Sequence, residues 1–205
     1  MHTLSREEYN EKRKATMEEK KREIIDIAQE LFLEKGLDNV TMSHIMKASD
    51  TSRATMYRYF DSIHPIVFEV QYRMMKEIFR DLGEADFSGL TAMECGYTGM
   101  NILVDHFCEH IDAYNYISMF DHFYAASYPD EKMSNEYASF LMHLFGDAAS
   151  IDDKWQDHGE MLTYANVIFS YLQKIAHRKK NKIENIDFSR ELASIRQLIA
   201  KVYRG

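Results

Sequence analysis

Apolar residues recur at helical spacing along most of the chain. Ile24, Ala28, Leu31 and Phe32 form the inner stripe of one helix, and Gly36 follows where a C-terminal cap is expected. Later stripes are separated by short polar segments, and several begin just after a Ser, Thr or Asp residue. Because the chain also contains only 2 prolines and 8 glycines, the pattern predicts an all-α protein.

The residues from Val40 to Phe60 predict two short helices joined by a tight turn. Thr41 precedes an apolar set and is the predicted N-cap of the first helix. A cluster of turn formers follows, in which Asp50 is expected to take the left-handed conformation. The second helix then begins at Thr51 or Ser52 and directs Met56 and Phe60 inward, which leaves a polar outer face of Arg53, Ala54, Thr55, Tyr57 and Arg58. This arrangement is typical of a helix-turn-helix, whose second helix enters the major groove of DNA.

Further helices are predicted on both sides of this unit. Residues 1-22 are mostly charged, and the pairs Ser5 with Glu8 and Thr16 with Glu19 each fit a capping box, so helix is expected to begin early. This arm is either solvated or reaches a neighbouring phosphate or minor groove through Lys12, Arg13, Lys14, Lys20, Lys21 and Arg22. The later predicted helices run from Ser62 to Gly83, from Thr91 to Cys108, from Tyr114 to Ala126, from Ser134 or Asn135 to Gly146, from Ser150 to about His177 and from Phe188 to Tyr203.

The segment from Ile24 to about Phe68 resembles the DNA-binding domain of the TetR family of transcriptional regulators. The resemblance is carried by Ala28, Phe32, Gly36, the Val40-Thr41 entry with Ile45, and above all the run from Thr55 to Ser62. After the charged arm over residues 1-22, it implies a three-helix helix-turn-helix domain over 23-65 and a helical effector-binding and dimerisation domain over 66-205. One departure is Ile63, since many family members carry Lys there, and this removes one expected phosphate contact.

The resemblance and the outward placement of side chains together predict the DNA contacts. The expected partner is double-stranded DNA with a palindromic operator, bound by a homodimer. Arg53 and Ala54 are expected to approach base edges, whereas Thr55, Tyr57 and Tyr59 mainly hold phosphates. The full predicted set is Thr41, Ser43, Lys47, Ser52, Arg53, Ala54, Thr55, Tyr57, Arg58 and Tyr59.

Two further sets of residues concern the second domain. Aromatic and methionine residues are concentrated between Tyr97 and Tyr128, and they either form core or line an apolar ligand pocket with a few polar anchors. The predicted lining is Tyr97, Met100, Asn101, His106, Phe107, Tyr116, Met119, Phe120 and Phe123. The last two helices either pack inside one subunit or form a four-helix bundle between two subunits. The predicted dimer interface is Leu162, Ala165, Phe169, Leu172, Leu192, Ile195 and Ile199.

Charge and composition limit the functional classes. The net charge is -8, but residues 1-65 carry only -1 of it, with 11 basic and 12 acidic side chains. Since DNA affinity depends on charge at the contact face, the acidic total only weakens the case for DNA. Cys95 and Cys108 suggest neither a disulfide scaffold nor a zinc site. With no apolar run long enough to span a bilayer and no signal peptide, we expect a cytoplasmic protein without a membrane partner.

Asp105, His106, Glu109 and His110 are the one group of side chains that suggests other chemistry. Two histidines one helical turn apart can bind a metal, and Asp121 or His122 could complete the site. A helical metal sensor or metalloenzyme is therefore one alternative, and a ligand-independent DNA-binding protein is another. The main hypothesis includes no catalytic residue, metal or cofactor.

The resemblance implies a repressor that a small molecule releases from its operator. Lys and Arg are absent from Asp81 through Glu131, which holds ten acidic residues among its aromatic side chains. This composition favours a largely apolar effector that is neutral or cationic rather than phosphate-rich.

Overall fold

The structure is a computed structural model that describes residues 5-124, 159-183 and 187-204. Every regular element in these residues is helical, which confirms the all-α prediction. The α-helices are α1 (Arg6–Lys35), α2 (Met42–Ala48), α3 (Arg53–Tyr59), α4 (His64–Gly83), α5 (Ala92–Glu109), α6 (Ile111–Phe123), α7 (Gly159–Lys180) and α8 (Phe188–Arg204), with a short 3-10 helix over Leu37–Asn39. The chain divides into two compact units, Met1–Val70 and Gln71–Gly205, and the division falls within α4.

The first unit is built around the apolar stripe of α1. Ile24, Ala28 and Phe32 are buried, together with Ile45 of α2 and Met56 of α3. The backbone N–H of Gly36 donates to Phe32 O, and φ of Gly36 is 88°, so glycine ends α1 as predicted. These side chains form the core of the first unit, in which α1 packs against α2.

The charged segment 1-22 contributes the first part of α1. Ser5 and Glu8 form the predicted capping box, and the helix runs without interruption from Arg6. The second predicted box is wrong, because Thr16 lies inside the helix and its hydroxyl donates to Lys12 O at 2.9 Å. Inside a helix, the hydroxyl of a Ser or Thr residue can donate to the backbone carbonyl four residues earlier, and it then does not cap a helix start.

The second unit packs α5 against α8 and α6 against α7. Tyr114 lies at the centre of this packing, where its hydroxyl donates to Leu103 O at 3.2 Å. Its ring contacts Phe107 edge-on, with centroids 5.0 Å apart, and Phe169 of α7, with centroids 5.6 Å apart. Burial raises the pKa of the Tyr114 phenol, which therefore stays protonated and acts as a donor.

Most helix boundaries in the second unit lie close to the predicted ones. Thr91 and Glu94 form the predicted capping box of α5. α6 begins and ends three residues earlier than the predicted Tyr114 to Ala126, at Ile111 and Phe123. The predicted helix ending at Gly146 and the predicted start at Ser150 lie outside the described residues. No helix in the described part of the chain is long and apolar enough to cross a membrane.

Candidate DNA-binding and effector sites

The turn between α2 and α3 is held by a buried polar network. Asp50 has φ of 46°, the left-handed conformation expected there. On either side, Ser49 and Thr51 are buried, and Ser49 Oγ lies 2.9 Å from both Ile45 O and Thr51 Oγ1. Thr51 N also donates to Met46 O at 3.0 Å. The sequence indicated turn formers here but did not indicate that their side chains are buried. The buried hydrogen bonds of Ser49 and Thr51 hold the turn in one conformation and so fix the angle between α2 and α3.

The entry of α2 is fixed by a reciprocal cap. Thr41 Oγ1 accepts from the backbone N–H of His44, and His44 Nδ1 accepts from the backbone N–H of Thr41. Thr41 was the predicted N-cap, whereas His44 was missed, because the usual third residue of such a box is Glu or Gln. Ser43 and Lys47 are exposed on the same helix.

The outer face of α3 carries the remaining predicted DNA contacts. The inward pair is confirmed, since Met56 and Phe60 are buried. Arg53, Ala54 and Arg58 are exposed, Tyr57 is 46% exposed, and Thr55 and Tyr59 are partly exposed. All ten predicted contact residues therefore lie on the surface of α2, α3 or their caps.

Side chains on α3 are ordered by contacts with one another. Ser52 caps the helix by accepting from Thr55 N at 3.2 Å, and its hydroxyl also bonds to Thr55 Oγ1. The Arg53 guanidinium lies 5.6 Å from the Tyr57 ring centroid. Arg58 donates to the Tyr59 hydroxyl at 3.0 Å. Such local contacts reduce the side-chain entropy lost when a partner binds.

The predicted effector residues fall into two groups on α5. Tyr97 and Asn101 face α8, where Arg204 lies 3.6 Å from the Tyr97 ring centroid and Arg196 donates to Asn101 Oδ1 at 2.8 Å. His106 lies about 140° around the helix from Asn101. Tyr97 and Asn101 are thus occupied in packing α5 on α8, and the structure does not bring them into one site with His106.

The other predicted lining residues differ widely in burial. Phe123 is 49% exposed and Met119 is half-buried, so they lie at the surface of α6. The buried members are Met100, His106, Phe107, Tyr116 and Phe120. Asn115, which the sequence did not single out, is buried beside Tyr114 and Tyr116 in the chain, and its Oδ1 has no hydrogen-bond partner among the described residues.

His106 is a buried imidazole next to several charged groups. Its Nε2 lies 4.0 Å from Asp81 Oδ2, and its ring centroid lies 4.4 Å from that of His110. Its Nδ1 has no hydrogen-bond partner within the described part of the chain. Burial lowers the pKa of His106, His110 and Arg80 lower it further, and the carboxylates of Asp81 and Glu109 act in the opposite direction. The neutral imidazole is therefore favoured in the folded protein.

This lowered pKa predicts a loss of stability in mild acid. In the unfolded chain His106 takes up a proton near its ordinary pKa of 6.5, whereas in the folded chain it does so only at lower pH. The free energy of unfolding therefore keeps the full His106 contribution above about pH 6.5 and decreases as the pH drops below that value. We expect denaturant unfolding from pH 7.5 to 5 to show a smaller loss for His106→Gln than for the unsubstituted protein. The same change at exposed His122 is the control, and a variant profile identical to the parent's would contradict the assignment.

The histidine pair does not assemble a metal site with its neighbours in the described residues. No group of three or more His, Cys, Asp or Glu side chains there is placed to hold a metal ion. The two residues proposed to complete such a site make other contacts. Asp121 Oδ2 accepts from Gln173 at 2.9 Å, and His122 lies edge-on to Phe123.

The acidic residues of α5 and α6 that supported a cationic effector are partly neutralised. Arg196 donates to Asp105 Oδ1 at 2.6 Å, and Lys180 lies 2.9 Å from Asp112 Oδ1. No base lies near these acids in the chain, but Arg196 and Lys180 reach them from α8 and α7. Asp105 and Asp112 therefore do not support a cationic effector.

The predicted dimer residues differ in how far they are accessible to a partner. Leu172, Ile195 and Ile199 are buried within one subunit, at 0, 2 and 0% exposure. Phe169 is half-buried against Tyr114, and Leu192 is half-buried. The side chains of the other two predicted members, Leu162 and Ala165, lie outside the described residues. The apolar stripes on α7 and α8 therefore include residues of the core of one subunit, and they do not by themselves identify a dimer interface.

A different face of α7 and α8 is apolar and exposed. Tyr164, Val167, Tyr171 and Leu198 are 41, 54, 38 and 42% exposed. Three of them line an open groove of about 630 Å³ between the two helices, whose floor includes Ile168 and Ile195. Single exposed apolar residues are ordinary, but several along one groove indicate an interaction surface.

Comparison with known proteins identifies the segment that carries the helix-turn-helix. The sequence model described as "Bacterial regulatory proteins, tetR family" matches residues 24–70. An uncharacterized HTH-type transcriptional regulator of Mycobacterium tuberculosis (strain CDC 1551 / Oshkosh) is 36% identical over 59 residues, which are 29% of each protein. The HTH-type transcriptional repressor KstR2 of Rhodococcus jostii is 30% identical over 125 residues, covering 60% of this chain and 56% of KstR2. The match spans less than two thirds of either relative.

Solved structures share the fold over most of the chain. A TetR-family regulator from Syntrophomonas wolfei superposes with a TM-score of 0.65 at 16% identity, covering 92% of this chain and 96% of that one. One from Marinobacter aquaeolei VT8 gives 0.62 at 14% identity, covering 93% and 97%. Identities this low show the fold alone, while the matched sequence contains α2, the buried turn and α3. Residues 24–70 therefore match the tetR family of bacterial regulatory proteins in sequence, and the chain shares the fold of the solved TetR-family regulators.

Proposed function

We propose that this protein is a homodimeric, sequence-specific DNA-binding transcription regulator, and that it is a repressor released from its operator by a small, largely apolar molecule. Its place of action is then the cytoplasm, where chromosomal DNA is found. The observation that carries the proposal is the α2–turn–α3 unit, whose turn is buried and whose α3 presents an exposed polar face within the family-matched segment.

The contacts of α3 suggest how DNA is read. Arg53 and Ala54 lie at the start of the helix, the part of a recognition helix that approaches base edges. Tyr57 and Tyr59 carry hydroxyls suited to phosphate oxygens. Thr55, which lies between Arg53 and Tyr57 in the chain, carries a third hydroxyl of this kind. Lys47 on α2, exposed and at the end of its helix, adds a phosphate contact where the first helix crosses the backbone.

The second unit supports an apolar effector that carries a hydrogen-bond donor. Phe107, Tyr116 and Phe120 are almost completely buried and provide apolar surroundings. Neutral His106, with its Nε2–H toward Asp81, leaves Nδ1 as an acceptor, and Asn115 Oδ1 is a second one. Unsatisfied buried acceptors cost free energy, so a ligand hydroxyl or amide that reaches one of them gains affinity.

Effector and DNA are linked through differential binding. A molecule that binds better to the DNA-free conformation lowers DNA affinity by the same factor as DNA lowers the affinity for that molecule. Release by an effector therefore requires that DNA lower the affinity for the effector as much as the effector lowers the affinity for DNA.

The homodimer is proposed to use the exposed α7–α8 face instead of the buried stripes. Val167, Tyr171 and Leu198 are apolar and accessible there. A two-fold dimer would bury this groove against its own copy and present two α3 helices to a palindromic operator.

The test of the proposed function is a footprint on the DNA flanking the protein's own gene. A thermal-shift screen first compares hydrophobic alcohols and amides, hydrophobic cations, neutral aromatics and fatty acids. Ligands that stabilise the protein are then added to the footprinting reaction. We expect a short protected palindrome that a donor-bearing neutral compound removes. Protection without a preferred sequence would contradict specific binding, and a footprint that no stabilising compound changes would contradict release by an effector.

A further inference from the structure

The first 18 residues of α1, Arg6 to Glu23, form a helical extension that precedes the buried part of the helix. Burial in α1 begins at Ile24, and residues 5-19 are all exposed. At 1.5 Å per residue the extension is about 27 Å long. A helix that buries little apolar surface gains little from packing, so its side chains are free to serve another partner.

Charges on this extension are sorted by helix face. It carries seven basic and six acidic side chains. At about 100° per residue, Arg6, Arg13 and Lys20 lie along one line, and Lys14 and Lys21 lie beside it. This basic face, defined by these five residues, also includes exposed Tyr9 and Met17. The remaining arc of the helix, from Glu7 beside Lys14 round to Glu23, carries Lys12, Arg22 and all six acids, which are Glu7, Glu8, Glu11, Glu18, Glu19 and Glu23.

The basic face continues the side of α1 that packs against the helix-turn-helix. Ile24, five turns after Arg6, continues the same line and is buried. Lys20 Nζ donates to Ser49 O at 3.4 Å, in the turn that precedes α3. The extension thus runs outward from the helix-turn-helix with its basic side chains directed to the side where α2 and α3 lie.

The cations of the basic face are largely available. Among the described residues, Arg6, Arg13 and Lys14 make no salt bridge to an acidic side chain. Lys20 pairs with Glu23 at 2.9 Å and Lys21 with Glu18 at 3.5 Å, both through exposed pairs within the helix. Exposed pairs of this kind contribute little and exchange readily for another anion.

We propose that the basic face of α1 is a second DNA-contacting surface, which follows the phosphate backbone of the duplex beside the groove occupied by α3. This inference rests on the proposed function. The duplex is favoured as the partner because the face is cationic along its length and begins at the turn that positions α3. Contacts of this kind add affinity and no base preference, so they strengthen binding to every sequence.

Two double variants with equal charge changes test the proposal. Arg13→Gln with Lys14→Gln removes two charges from the basic face, while Lys12→Gln with Arg22→Gln removes two from the acidic side. All four positions are exposed, so both variants are expected to keep the helical content of the parent by circular dichroism. The measurement is affinity for an operator duplex over a range of salt concentrations.

The basic-face variant should lower the slope of log affinity against log salt by about two, one for each lost phosphate contact, with an unchanged base preference. The other variant should keep the parent slope. Equal slopes for both variants and the parent, or equal reductions in both, would overturn the proposal, as would a loss of base preference. Specific binding by the parent with unchanged slopes refutes this inference alone, whereas absence of specific binding by the parent refutes the proposed function as well.

Discussion

Ile199→Glu is expected to unfold the second unit, whereas Leu198→Glu is expected to leave it folded and to dissociate the dimer. The two residues are neighbours in α8, but Ile199 is 0% exposed and Leu198 is 42% exposed. A carboxylate at position 199 would be buried without a partner, which costs about 4 kcal/mol or more. At position 198 the carboxylate stays in water within the subunit and meets its own copy only in a dimer.

Denaturant unfolding and sedimentation equilibrium distinguish these outcomes. Gln197→Glu adds the same charge at an exposed position outside the groove and serves as the control. We expect Leu198→Glu to sediment as a folded monomer with weakened operator binding, and Gln197→Glu to remain dimeric. A Leu198→Glu protein that stays dimeric would move the interface away from the α7–α8 groove.

Arg53→Ala is expected to relax base preference at one position of each half-site. A side chain that reads one base edge contributes about 1–3 kcal/mol of discrimination, or roughly 5- to 150-fold. Arg53 is exposed at the start of α3, and its guanidinium lies over the Tyr57 ring. The substitution removes both the base contact and this stacking.

Tyr57→Phe is the companion change that separates positioning from reading. It keeps the ring below Arg53 and removes only the hydroxyl, so binding should weaken alike on all sequences. Affinity is measured on an operator and on single-base variants of each half-site. If Arg53→Ala keeps the parent ranking of these duplexes, Arg53 does not read a base. A changed ranking for Tyr57→Phe would assign Tyr57 a reading role instead.

The helix-turn-helix could be predicted because its signals are local. Thr41 as cap, Asp50 in the left-handed conformation and the inward pair Met56 and Phe60 depend on residues within a few positions of one another. The burial of Ser49 depends on packing against other helices, and local sequence does not encode it. A local signal can also mislead: Thr16 and Glu19 match a capping box, yet Thr16 lies inside α1 and no helix begins there.

The second unit was harder to predict because an apolar stripe on a helix indicates that those residues are buried but does not indicate which helix, of the same or another subunit, covers them. Ile199 packs inside the subunit while its neighbour Leu198 is exposed, and Ile195 forms the buried floor of the groove that Leu198 lines. Likewise, the pairing of Arg196 with Asp105 joins residues distant in the chain and could not be inferred from the charge of one segment. Asn115 gave no signal in the sequence, because its amide oxygen is seen to be buried, with no partner among the described residues, only in the structure.

The central claim is that α3 of this protein reads a specific DNA sequence as part of a two-fold dimer. Selection of bound duplexes from a randomised pool, followed by sequencing, tests it most directly because it assumes no target gene. The account predicts enrichment of one palindromic motif whose half-sites lie about one helical turn of DNA, or a multiple of it, apart. A pool that shows no enriched motif after repeated selection at low salt, with folded and dimeric protein, would contradict the account.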